Sequence, residues 1–330
     1  MNTLVEVADA ARDLDRNMVD VVGIQAKNLH FDNGMLIFNN NNKEFIVEPT
    51  TTGLQTMLNL LEINVEGGRK KIAELFKNNL TAPAAATMLN SMLGSFNNSE
   101  RRMNLRVQGE HFIAAFKPET EMVTRMDLLD PFFRNIAARD MDTNARIVRA
   151  DLVDSVNLRV ILDEFHGREH HGAGLELIHS LITPSRTQLN PLVKTTSCDN
   201  SLVSNAGFAF NNSSGFITRF EQTVRLVQGL VQSSIETIKQ MEGLYEVEYD
   251  FGRFLHYMKN AQNMRLTDPM IETLRMGARE RENTLYGQVN GLTYLAHRFD
   301  DLKPEMVYDL ERAAGRIVDN PTDILEYRMV

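Results

Sequence analysis

The chain has 330 residues, 43% of them apolar, and a formal net charge of −9 at pH 7. This length and apolar content suffice to bury a sizeable core. The acidic balance argues against a protein that holds duplex DNA through a broadly basic surface. A single cysteine excludes an internal disulfide and a zinc site of the multi-cysteine type, and it fits a reducing compartment.

The sequence carries no signal for a membrane or for export. It has no run of about 18 apolar residues, and its first residues include acids where a secretory leader would be basic and then apolar. We therefore expect a soluble protein of the host cell cytoplasm, without membrane association, in which residues 1–20 form an N-terminal segment.

The first hundred residues combine strand and helix patterns. Alternating apolar residues over 21–47 predict a β-meander, with the run Asn39 to Asn42 at a hairpin tip because asparagine tolerates left-handed turn geometry. Helical spacing then predicts three short helices, around Leu58, Ile72 and Met88.

Strand patterns return in the middle of the chain. Residues 103–116 predict a hairpin around Gly109, and residues 123–139 predict a helix. Four further strands are expected, with loops between them over 165–173 and 183–191; these strands lie over residues 147–149, 156–162, 175–178 and 192–197. Strands that neither alternate strictly with helices nor form one block favour an α+β fold over a doubly wound sheet.

After Gly215 the pattern is helical. A long helix is predicted over 224–238, followed by four helical segments that begin near residues 251, 270, 284 and 304. We therefore predict an α+β domain over 21–214, with a mixed, mainly antiparallel sheet region and short helices. An all-helical C-terminal third, residues 215–330, would pack on it.

The only cysteine, Cys198, follows a β-like run and precedes polar turn residues that include Asn200. A nucleophilic thiol needs a nearby base and a lowered pKa, and nothing local supplies them. We therefore interpret Cys198 as a small apolar residue of the core. The side-chain oxygen of Asn200 can cap a turn or a helix.

The predicted helix near residue 284 carries a polar stripe. Tyr286, Asn290, Thr293 and His297 follow one another at steps of four, three and four, so they share one helix face. If these side chains are buried, each polar group needs a hydrogen-bond partner, and we then expect a structural polar network between the helical and β parts. If they are exposed, we expect a ligand site instead.

These two motifs support a resemblance. The run from Cys198 through Asn200 to Leu202, and the aromatic–Asn–Thr–His series that begins at Tyr286, resemble motifs of the phage- and plasmid-encoded proteins grouped as domain of unknown function 932. The resemblance spans about residues 22–314. It implies a protein of a phage or mobile element in which both motifs have structural or binding importance.

A histidine cluster is the first candidate for a metal site. His166, His170 and His171 lie close to acidic residues, and imidazole with carboxylate can bind a divalent ion. The spacing differs from His-Glu-x-x-His, and the flanking Gly167 and Gly172 indicate a loop. A solvated loop is therefore the main interpretation, and we predict no metal and no cofactor.

Basic and aromatic residues suggest a second kind of site. Single-stranded nucleic acid is bound by arginines together with aromatic side chains on which bases stack. Phe133, Arg134, Arg146 and Arg149 offer this combination, although such phenylalanines more often belong to a core. Gly-rich phosphate loops of the Walker or dinucleotide type are absent from the sequence.

The leading hypothesis is a non-enzymatic, homo-oligomeric factor that binds or anneals single-stranded DNA in replication or recombination. An alternative is an acidic interaction protein that inhibits a host defence or a host enzyme. The third is a metal-dependent hydrolase that uses the three histidines.

Overall fold

The computed structural model of the protein describes residues 3–62, 69–78, 80–95, 97–183, 186–195, 200–204 and 206–328. The chain opens with helix α1 (Leu4–Arg16), in a segment for which the sequence pattern predicted no element. Thr3 caps this helix, because its hydroxyl accepts a hydrogen bond from the backbone N–H of Glu6 at 3.2 Å. Val7 and Ala11 lie on its buried face.

The first sheet has six strands in the order β1-β5-β6-β4-β3-β2. The strands are β1 (Met18–Gln25), β2 (Leu29–Asp32), β3 (Met35–Asn40), β4 (Lys43–Pro49), β5 (Arg102–Gln108) and β6 (His111–Phe116). All neighbours are antiparallel except β4 and β6. The predicted asparagine tip is present: Asn41 and Asn42 adopt φ values of 50° and 63°, which this side chain tolerates.

Three short helices follow β4, as predicted: α2 (Thr51–Leu60), α3 (Arg69–Lys77) and α4 (Ala82–Leu93). Helix α2 packs closely on β6. A Cβ at Gly53 would lie 2.4 Å from the carbonyl oxygen of Phe112, so the contact requires glycine. The buried residues of these helices and of the first sheet form one hydrophobic core.

Helix α5 (Arg125–Ala137) leads from the first sheet to the second. The second sheet contains β7 (Arg146–Asp151), β8 (Ser155–His166), β9 (His170–Ser180), β10 (Thr187–Thr195), β11 (Asn200–Val203) and β12 (Phe208–Phe210). Its order is β11-β10-β9-β8-β7, with all pairs antiparallel. Strand β12 pairs with the opposite end of β10.

Two predicted loops are shorter in the structure. Strands β8 and β9 continue to His166 and His170, so the loop predicted over 165–173 is wrong except for residues 167–169. Gly172 lies inside β9, where a Cβ would come within 2.7 Å of the Ile161 Cγ2 atom; close packing across the hairpin explains this glycine. Strand β10 begins at Thr187, inside the second predicted loop.

The C-terminal third is helical, which confirms the α+β prediction. It contains α6 (Phe216–Val224), α7 (Val227–Gly243), α8 (Phe251–Asn260), α9 (Asp268–Ala278), α10 (Leu285–Arg298), α11 (Pro304–Asp319) and α12 (Thr322–Leu325). The single helix predicted over 224–238 is interrupted at residues 225–226, between α6 and α7. None of the helices in the described ranges combines the length and apolar character needed to cross a bilayer.

A second hydrophobic core joins α1, α5, the second sheet and the C-terminal helices. Two buried arginines connect segments that are distant in the chain. The guanidinium of Arg106 on β5 binds Asp20 and the backbone carbonyl of Leu181. Arg125 at the start of α5 is fully buried and donates to Asp15 at 2.8 Å. The hydrogen bond from Arg106 to Leu181 therefore joins the first sheet to the end of β9, whereas the Arg125–Asp15 pair joins α5 to α1.

Candidate functional site

One face of the second sheet collects the polar side chains of the middle strands. Arg149, Arg159, Glu176 and Asn190 are cross-strand neighbours on β7, β8, β9 and β10. Residues paired in this way project to the same side of a sheet. We call this side the polar face.

Two β-bulges extend the polar face. On β7, Arg146 pairs with Ile161 and Arg149 pairs with Arg159. Three residue steps on β7 therefore match two on β8, and this extra residue places Arg146 and Arg149 on the same side of the sheet. On β8, the register shifts between Ile161 and Asp163. This second bulge returns Glu164 to the polar face near the hairpin end.

The centre of the polar face is a buried ion cluster. The Arg159 Nε atom donates to Glu176 at 2.8 Å, and its Nη1 atom donates to Glu311 of α11 at 2.7 Å. Arg159 is 5% exposed and both glutamates are fully buried. The arginine lies between two carboxylates, so its single positive charge balances one of the two negative charges inside the protein.

Hydrogen bonds keep Glu311 ionised. Burial alone raises the pKa of Glu311, but hydrogen bonds from His297 and Arg159 outweigh that effect and lower the pKa to about 2. Ser201 of β11 also donates to Glu311 Oε1, at 2.6 Å. The same interactions with Glu311 and Glu176 raise the pKa of Arg159 against the opposing effect of burial.

Ser201, His297 and Glu311 contact one another without forming a hydrolytic triad. His297 Nε2 lies 3.0 Å from Ser201 Oγ and 2.9 Å from Glu311 Oε1. A triad requires the serine and the carboxylate on opposite ring nitrogens of the histidine. Here both contacts use Nε2, so the arrangement stabilises the junction of β11 with helices α10 and α11.

The residues of the polar stripe on α10 do not form one network, because Tyr286 belongs to a separate cluster. Asn200 donates from Nδ2 to Asn290 Oδ1 at 2.9 Å, and Asn290 donates to the carbonyl of Gly277 on α9. His297, in the last turn of the helix, joins the ion cluster. Thr293 is buried and bonds the carbonyl of Asn290 in its own helix. Cys198, which the sequence places beside Asn200, lies outside the described residues.

Tyr286 belongs to a separate aromatic cluster at the other end of α10. Its ring stacks on Tyr245 with centroids 3.7 Å apart, and the guanidinium of Arg281 lies over both rings. Glu169, in the turn between β8 and β9, accepts hydrogen bonds from Tyr245 and Arg281. Burial raises the pKa of Tyr286, so its phenol stays neutral.

The predicted histidine cluster splits across the sheet. His166 and His170 are cross-strand partners, and with Glu164 they bring three ligand atoms within 4.8 Å of one another. His171 follows His170 on the strand and therefore points to the other face. There it is fully buried, contacts Thr195 Oγ1 at 3.2 Å, and has a pKa lowered by burial.

The predicted nucleic-acid residues lie in two neighbouring places. Phe133 and Arg134 line a groove of about 510 Å³ between α1 and α5, which extends to Ala145. Phe133 is half-buried, and Arg134 is exposed and paired with Asp130 at 2.9 Å. Arg146 and Arg149 are exposed on β7, the strand that follows Ala145 in the chain.

The ion cluster was not predicted from the sequence. Arg159 and Glu176 stand inside otherwise apolar strand runs, and an isolated charge in such a run was the available signal of a buried pair. Glu311 gave no comparable signal, because acidic residues are common on amphipathic helices.

Comparisons of the chain with protein-family models, with curated proteins and with solved structures gave no match.

Proposed function

We propose that the protein binds single-stranded nucleic acid across the surface formed by β7 and the groove between α1 and α5. The observation that carries this proposal is the bulge in β7, which sets Arg146 and Arg149 on the same side of the sheet. Their backbones are separated by two pairing steps, about 7 Å along the strand. Two guanidinium groups at this spacing suit neighbouring phosphates of an extended single strand.

The groove supplies a place for a base. It is lined by Phe133 together with apolar side chains of α1, and its rim carries Arg12 and Arg134. Stacking on an aromatic side chain contributes about 1–3 kcal/mol per base and depends little on sequence. The resemblance to the proteins of domain of unknown function 932 supports a role in phage replication or recombination.

The charge of the surface favours single strands over duplex. Asp130 and Asp142 line the same groove, and the whole chain is acidic. Few phosphates can therefore be neutralised, and the salt dependence of binding should be shallow. Bases are stacked and paired within a duplex, so only a single strand can use the groove.

The test is fluorescence anisotropy with a labelled single strand and with a duplex of the same sequence, at two salt concentrations. The double variant Arg146→Glu/Arg149→Glu should weaken single-strand binding without changing the thermal midpoint. Arg102→Glu, an exposed arginine of the first sheet, is the matched control. Absence of single-strand binding at micromolar protein and low salt would overturn the proposal and favour the acidic interaction protein.

A further inference from the structure

We propose that Glu164, His166 and His170 form a binding site for one divalent transition-metal ion of the Zn²⁺ type. Their ligand atoms lie within 4.8 Å of one another at the end of the β8–β9 hairpin. Two imidazoles and one carboxylate are a ligand set that Zn²⁺ accepts in proteins.

The hairpin backbone arranges the ligands in advance. His166 and His170 are paired across the strands, and their rings are nearly parallel with centroids 4.2 Å apart. Glu164 lies two residues before His166, on the same side of β8, and already contacts His170 Nε2 at 3.1 Å. The cross-strand partner of Glu164 is Gly172, so no further side chain competes for that position.

Small side-chain movements would complete the coordination. Metal–ligand distances of about 2.0–2.2 Å correspond to separations of roughly 3.3–3.6 Å between the ligands of a tetrahedral ion. Glu164 and His170 have side chains that are 46% and 36% exposed, so both can rotate to close on the ion. Three protein ligands leave a fourth position for water or an anion.

Arg146 gives that open position a cationic neighbour. Its Nη2 atom lies 3.9 Å from Glu164 Oε1, on the same face of the sheet. An anion bound to the metal could also contact this guanidinium. His171 is excluded from the site because it lies buried on the opposite face.

The metal site can be tested separately from nucleic-acid binding, because none of its three ligands belongs to the proposed nucleic-acid surface, although Arg146 lies next to both. Titration calorimetry of the tag-free protein with Zn²⁺ tests it, with Co²⁺ absorption spectroscopy as a report on ligand type. We expect one equivalent bound with a rise in the thermal midpoint. The visible Co²⁺ bands should have the intensity of a low-coordinate site.

His166→Ala and His170→Ala should each abolish the one-to-one binding and the metal-dependent rise in midpoint. His111→Ala should retain both effects. His111 is exposed and lies 3.7 Å from Glu48, and among the described residues this histidine–glutamate pair belongs to no group of three possible metal ligands. The metal-free midpoints of all three variants should equal that of the wild type. Failure of the wild type to bind Zn²⁺, or binding that survives both hairpin substitutions, would overturn the proposal.

Discussion

The Arg159 Nη1 atom and the Glu311 Oε1 atom are 2.7 Å apart, although 152 residues separate them in the chain. This buried contact joins the middle of β8 to helix α11. Ser201 accepts a hydrogen bond from Arg159 and donates one to Glu311, and Glu176 accepts one from Arg159. The packing of the helical third on the second sheet therefore includes a charged interaction as well as an apolar one.

Replacing Glu311 by alanine should destabilise the protein by about 3–5 kcal/mol, because Arg159, Ser201 and His297 would each lose their acceptor in a buried ion cluster. Urea denaturation at pH 7 measures the change. Glu305→Ala, at an exposed position in the first turn of the same helix, should stay within about 0.5 kcal/mol of the wild type. Equal midpoints for the two variants would contradict a buried role for Glu311.

Asn290→Ala should cost about 1–3 kcal/mol of stability, because the side-chain amide of Asn200 and the carbonyl of Gly277 would each lose a buried partner. The control is Arg298→Ala, at an exposed position on the same helix. Chemical denaturation of both variants decides the prediction. An unchanged Asn290→Ala midpoint would mean that water replaces the lost contacts.

Stability should fall as the pH drops below the ordinary histidine range, partly because of His179. Burial and the nearby charge of Arg106 lower the pKa of His179 from 6.5 to about 3. The unfolded chain therefore binds a proton that the folded protein does not accept between these values. The resulting loss is about 1.4 kcal/mol for each pH unit below 6.5.

His179→Asn isolates this contribution, since an amide can still donate to Thr187 Oγ1, which His179 Nδ1 contacts at 2.8 Å. Between pH 7 and pH 5 the wild type should lose about 2 kcal/mol more than the variant, from the slope for one histidine. Parallel stability curves for the two proteins over that range would show that His179 accepts its proton in the folded state.

Phe133 and Arg149 should contribute differently to single-strand binding. Phe133→Ala should weaken binding by about 1–3 kcal/mol for the one base stacked there and leave the salt dependence unchanged. Arg149→Ala should reduce the slope of log affinity against log salt by about 0.7. Anisotropy titrations at several salt concentrations separate the two effects. A changed slope for Phe133→Ala would place its effect on the phosphate contacts.

The elements of the fold were largely predictable because burial imposes a local period on the sequence. The apolar spacing correctly predicted the positions of most strands and of helices α2 to α5 and α8 to α11. The misses have physical causes. Gly172 suggested a loop because glycine is common in turns, whereas here it allows close packing inside a hairpin. Strand β11 has only four residues, which is too short for a periodic pattern to be recognised.

The candidate sites likewise combine features that the sequence determines with features that depend on tertiary structure. Shared helix faces are a local property, so the sequence by itself determined that Asn290 and His297 lie together on α10. Which side of a sheet a residue occupies depends also on bulges, and these arise from pairing between strands. Tertiary structure alone therefore decided that Arg146 and Arg149 share a face. His171 is separated from His170 because both lie inside a strand, where the flanking glycines had indicated a loop. Tertiary structure also decided the partner of Arg159, because Glu311 meets β8 only after the whole C-terminal third has packed.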